Sequence, residues 1–77
     1  MLYTLWDIET NNLVAERDER REALALLMQG IKRNGPHDAD ALSLDVEDDS
    51  GDVKTIAVGV ELAELARREF SAEKLTG

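Results

Sequence analysis

Leu42, Leu44 and Val46 alternate with Ser43, Asp45 and Glu47, which predicts a strand with one buried face. Val53 to Val58 (VKTIAV), rich in β-branched residues, predicts its return strand. The run Asp48-Asp49-Ser50-Gly51-Asp52 between them has the residue types of a turn. Nearer the start, Leu2 to Glu9 (LYTLWDIE) and Leu13 to Arg17 (LVAER) flank Thr10, Asn11 and Asn12. Asparagine tolerates the left-handed backbone of tight hairpins, so Asn11-Asn12 reads as a two-residue loop. Ile8 then faces Ala15, and Trp6, Ile8, Leu13 and Ala15 share the buried face. Tyr3, Leu5 and Val14, with Asp7, Glu9 and Glu16, fall on the opposite, open face.

Two helices complete the pattern. Ala23, Leu24, Leu27, Met28 and Ile31 recur at three- and four-residue steps and form one apolar stripe. Asp18 is the expected N-cap, Glu19 and Glu22 suit the first turn, and Lys32 and Arg33 suit the last. Asn34-Gly35-Pro36 stops this helix. After Gly59, the residues Leu62, Leu65, Ala66 and Phe70 make a second stripe, with Ser71 to Gly77 fraying from it or extending it.

The order ββαββα predicts an α+β, two-layer domain over residues 1–77. Two ββα halves, about 1–38 and 39–77, form a four-stranded, mostly antiparallel sheet with both helices on one face. Trp6-Asp7-Ile8-Glu9 matches Leu44-Asp45-Val46-Glu47 in pattern at an offset of 38. Glu22-Ala23-Leu24-Ala25 matches Glu61-Leu62-Ala63-Glu64 at an offset of 39. One such half cannot bury both of its apolar faces alone, which gives an internal repeat a physical purpose. The strand Tyr3-Thr4-Leu5-Trp6-Asp7 and the helix Glu22-Ala23-Leu24-Ala25-Leu26 resemble those of small stand-alone bacterial domains that open on YTLWD and carry EALAL. That resemblance implies no activity.

The chain has 77 residues, of which 43% are hydrophobic and 34% charged, a globular balance. A single domain of this size buries about 60–65% of its unfolded surface, so self-association is a natural way to bury more. Seventeen acids against nine Lys and Arg leave a formal net charge of -8. Phosphate backbones and anionic membranes repel such a chain, which excludes nucleic acid and lipid as expected partners. There is no cysteine, so thiolate metal sites and cysteine nucleophiles are excluded. No apolar run approaches the ~20 residues of a membrane span, and Met1 to Glu9 lacks a signal peptide's basic start. A cytoplasmic location is the expectation.

Candidate chemistry is sparse. The stretch Asp45 to Asp52 fails as a calcium loop, because position 6 is Ser50 and position 12 is Ile56. His37 with Asp38 and Asp40 has no second histidine to complete a metal site. Ser43, Ser50 and Ser71 lie in no strained elbow, and Gly30 and Gly35 form no phosphate loop. Arg17, Arg20, Arg21, Arg67 and Arg68 alternate with acids, as intrahelical pairing requires. No catalytic, cofactor-binding or metal-ligating residue is assigned, and no cofactor is expected.

The expected function is therefore a non-enzymatic protein-interaction or accessory module using an acidic open sheet face. The interaction residues expected from the pattern are Tyr3, Leu5, Asp7, Glu9, Val14 and Glu16. The expected partner is a protein, a basic one among the candidates, or a second copy in a homo-oligomer. Two other classes fit the same composition. One is an antitoxin-like or nucleic-acid-mimicking inhibitor of a basic enzyme. The other is a small ligand-binding or catalytic domain whose site forms between protomers.

Overall fold

The computed structural model describes residues 1–76, with side chains described for 1–35 and 37–71. Its elements are β1 (Leu2–Asp7), β2 (Asn12–Arg17), α1 (Arg20–Asn34), a 3₁₀ turn (Pro36–Ala39), β3 (Leu42–Glu47), β4 (Val53–Val58) and α2 (Val60–Thr76). The chain is α+β in the order ββαββα, as its pattern predicts. The four strands form one antiparallel sheet in the order β2-β1-β3-β4, with β1 and β3 in the middle. The two helices pack together on one face. The shortest dimension, 16 Å, has room for one sheet and one helix layer. No helix among the described residues is long and apolar enough to cross a membrane.

Among the described residues the fully buried core is leucine and alanine: Leu5, Ala23, Leu24, Leu27, Ala39, Leu44, Ala57, Leu62 and Ala66. Leu24 and Leu27 come from the α1 stripe, and Leu62 and Ala66 from α2, as the helical spacing requires. Leu5 and Leu44 lie directly opposite each other on the two central strands. Both point toward the helices, because residues opposite in a pair share a face. The alternation expected for β3 is observed, with Leu44 inward and Ser43 outward.

The first hairpin departs from expectation in its loop, in its pairing and in which of its faces is buried. Its loop is the four-residue turn 8–11 in place of Asn11-Asn12, and Asn12 already belongs to β2, opposite Asp7. Asn11 does take the left-handed conformation, with φ of 58°. The turn is organised by Asp7, whose Oδ1 accepts the amides of Glu9 (3.0 Å) and Thr10 (3.3 Å). Leu5, expected on the open face, is 2% exposed in the core, and Tyr3 packs against that core. Trp6 and Ile8, expected inside, stand on the other side of the sheet, and Ile8 is largely exposed. Leu13 is also outside, whereas Ala15 packs inward as predicted. Because side chains alternate with a period of two, burying Leu5 places Trp6 outside, and the extra residue Val14 lets Leu13 join Trp6 while Ala15 stays inward.

Other local differences are smaller. The cap of α1 is Glu19 in extended conformation, with no side-chain capping bond, so the expected role of Asp18 is not taken up. Gly35 ends α1 as predicted: its φ is 93° and its amide donates to the Ile31 carbonyl at 2.7 Å. Gly59 (φ 61°) turns the chain from β4 into α2 while its amide donates to the Leu42 carbonyl at 3.0 Å. A side chain there would be strained in φ and crowded by the Asp40 carbonyl. Helix α2 runs through Thr76, so the tail extends it, and Gly77 lies outside the described residues. Arg67 and Arg68 pair with Glu64 within α2, as expected. Arg20 instead reaches across to Glu69 at 3.7 Å, and Arg21 lies 5.5 Å above the Phe70 ring. Those two arginines tie the helices to each other.

Truncating Leu5 to Ala is expected to cost about 2–5 kcal/mol, a large share of the roughly 4–12 kcal/mol that stabilises a domain of this length. Trp6→Ala, on the uncovered face, should cost clearly less. Thermal melts followed by far-UV circular dichroism compare the two, and an equal or greater loss for Trp6→Ala would return the indole to the core.

Candidate functional site

The face of the sheet away from the helices can be assembled row by row from the strand register. One row crosses all four strands as Leu13, Trp6, Ser43 and Val58. The next is Glu16, Thr4, Asp45 and Thr55, and the last holds Leu2, Glu47 and Val53. Leu13 and Val58 are 43% and 41% exposed, large fractions for apolar residues in paired strands. Ile8, 53% exposed, follows in the turn and donates its amide to the Ala41 carbonyl. The first row is thus an apolar stripe across the width of the sheet.

Two side-chain bonds tie this stripe to the second row. Trp6 Nε1 donates to Thr4 Oγ1 at 3.1 Å, and Ser43 Oγ donates to Asp45 Oδ1 at 3.0 Å. The first satisfies the indole nitrogen, leaving its ring as an apolar surface. Ser43, flanked by Trp6 and Val58, is only 6% exposed although no second layer covers it. Every charged side chain in the three rows is acidic: Glu16, Asp45 and Glu47. Lys54 and Arg17, the basic residues of the strands, lie opposite Val46 and Tyr3 and so belong to the helix side.

Sheet edges offer a different route to a partner, and here each is broken by a bulge. The β1–β2 register shifts between Leu5 and Trp6, leaving Val14 as the extra residue. The β3–β4 register shifts between Leu44 and Asp45, leaving Ile56 as the extra residue. Bulges disrupt the regular ladder that an added strand would continue. The face therefore offers a better surface than either edge.

Of the six residues expected to form an interaction surface, only Glu16 lies on this face. Leu5 and Tyr3 belong to the core side, Val14 is the bulge residue, and Asp7 and Glu9 build the turn. Sequence reasoning missed Trp6, Leu13 and Val58. The signal available for them was the parity of β3: once Leu44 is inward, its partner Leu5 must be too.

The helix side holds several shallow concavities with charged linings. One of about 420 Å³ is lined by Met28, Lys32, Glu64, Arg67, Arg68, Phe70 and Ser71. Its arginines engage Glu64 at 3.8 and 3.9 Å, so much of its positive charge is answered from within. Another of about 410 Å³ contains His37 and Asp40, whose Nδ1 and Oδ2 are 3.3 Å apart. Both side chains are open to water, and no hydroxyl or lysine lines that space to serve as a nucleophile. Among the described residues no three His, Asp or Glu side chains converge as a metal site.

The acidic turn organises itself. Asp48 Oδ1 accepts the Ser50 hydroxyl at 2.6 Å and the amides of Ser50 and Asp52 at 2.9 and 3.1 Å. The Ser50 hydroxyl is the main reason that the Asp48 carboxyl is held below its ordinary value, with the turn amides adding to it. A lowered folded-state value means that the ionised turn contributes stability above the ordinary carboxylate range. That contribution is lost as pH falls through the lowered value. Ser50→Ala should move the Asp48 titration midpoint upward in carboxyl-detected NMR; an unmoved midpoint would remove the hydroxyl as the cause. No family model, curated protein or solved structure matches this chain.

Proposed function

We propose that this protein is a non-enzymatic protein-interaction module and that the open face of its sheet is the contact surface. The observation that carries the reading is the row Leu13, Trp6, Ser43 and Val58, which spans four strands with no layer upon it. A two-layer domain ordinarily covers the apolar side of its sheet and leaves polar residues on the other. Here leucine, tryptophan and valine occupy the side left bare. An apolar patch rimmed by charge is the usual anatomy of a protein contact, and tryptophan is the residue most enriched among its energetic anchors.

The acid-only rim also favours a particular form of the same reading, an inhibitor whose acids occupy a basic enzyme surface. The two forms share one surface and differ in what binds it. In either form the face acts through shape and charge, without bond-making chemistry.

Trp6→Ala is expected to weaken capture of a native partner at least about 30-fold, the loss that a central anchor worth 2 kcal/mol implies. Val58→Thr, which keeps shape and strand propensity, should weaken it less. Immobilised native and variant chains, each shown folded by circular dichroism, are compared for the proteins they retain from lysate. Retention of the same proteins at the same strength by Trp6→Ala would remove the face as the contact surface.

A further inference from the structure

The face reading leaves open what sits on it, and the distribution of charge answers that. Glu16 and Asp45 stand in the row beside the apolar stripe, about 7 Å away along the strands. Glu47 stands one row further on the same side. The acids therefore flank the stripe on one side only, with no cation among them. Every lysine and arginine of the chain lies in a helix or on the helix side of a strand.

A second copy does not fit this arrangement. Stacked face to face with the acidic rows together, it would set two groups of three carboxylates against each other, where water is scarce and like charges repel most. Turned about the stripe, it would set each copy's acids over the other's turn end, residues 8–11 and 40–41, which carry no lysine or arginine. Its helix layer does carry cations, among them Lys32 and Arg33 at the end of α1, but a face-to-helix contact joins unlike surfaces and would repeat head to tail without closing. Arg67, Arg68 and Arg20 already pair within that layer. The chain outside the open face keeps more acids than bases.

Resting on the reading of the open face as a contact surface, we infer that its partner is a different protein with a cationic surface. That surface presents an apolar group to Trp6, Leu13 and Val58. Its lysines or arginines lie to one side, about 7 Å off, where they meet Glu16, Asp45 and Glu47. The acids then act twice. They attract the basic partner and keep two copies of this chain apart.

A defined probe for this arrangement is the chain itself with its rim reversed, E16K/D45K/E47K. In the probe Trp6 is also replaced by Phe, so that the native chain's single tryptophan reports alone. Native chain by itself is expected to sediment as a monomer with the emission of a half-buried Trp6. Mixed with the probe, it should form a 1:1 complex with blue-shifted emission, lost at high salt and lost with Val58→Asp in the native chain. Because Asp45 holds the Ser43 hydroxyl, E16K/E47K with Trp6→Phe is the second probe, and circular dichroism verifies that each is folded. A native chain that dimerises through Trp6 by itself would overturn the basic partner while keeping the face as an interface. No complex with either folded probe would overturn the charge assignment, and the Trp6→Ala capture comparison then decides the face reading separately.

Discussion

The pairing of Leu5 with Leu44 at the centre of the sheet is the constraint on which the rest depends. Both side chains are almost wholly buried beneath the two helices. Each contributes about 1.5–3 kcal/mol on burial, and together they set the parity of both central strands. The alternative, with β1 slipped by one residue, would drive Trp6 into a core otherwise made of leucine and alanine. Forcing extra volume into such a core costs about 1–3 kcal/mol or more, and Leu5 would be left in water. With Leu5 inward, Thr4 and Trp6 must face out, and the open surface follows from that one choice.

This also explains which parts of the fold were legible. β3 alternates without ambiguity, and α1 carries its stripe and its stop signal in full, so both are found where the pattern places them. β1 is different, because Leu2, Trp6 and Ile8 on one parity rival Tyr3 and Leu5 on the other. Its faces cannot be told apart by local alternation, and the loop residues then decide wrongly. Asp7, which builds the four-residue turn with its carboxylate, was the less conspicuous signal beside Asn11-Asn12. A better clue lay in the comparison of the two halves. Matching the strands at 38 residues and the helices at 39 is inconsistent for two like units, and 39 throughout aligns Leu5 with Leu44. Because the candidate face inherits its parity from β1, the error carried over from fold to site.

The bulges were not legible at all, since neither contains glycine, yet they decide what the open face displays. Without the extra residue in β2, Val14 would stand opposite Trp6 and Leu13 would turn toward the helices. The bulge places the larger leucine beside the indole. In β4 the extra residue is Ile56, which packs against the core, and Thr55 stands opposite Asp45 in its place. One bulge thus adds apolar area to the first row, and the other keeps it out of the acidic row. The same two irregularities roughen both sheet edges, where regular pairing with another chain would otherwise be easiest.

Charge follows the layers with the same consistency. Cations on the helices find partners there: Arg20 on Glu69, Arg67 and Arg68 on Glu64. Exposed pairs of this kind are each worth at most about 1 kcal/mol, so their effect lies less in stability than in answering the charge of these three arginines within their own layer. Among the described residues the three acids of the open face have no cation beside them in their rows. An apolar stripe on a flat sheet would by itself invite a second copy, and many stacked sheets meet that way. Placing uncompensated carboxylates next to the stripe makes that homotypic contact costly while leaving the apolar area available to a cationic surface. Selectivity of this kind needs no pocket and no catalytic group. It requires only that tryptophan, leucine and valine share one row and that no cation share the next.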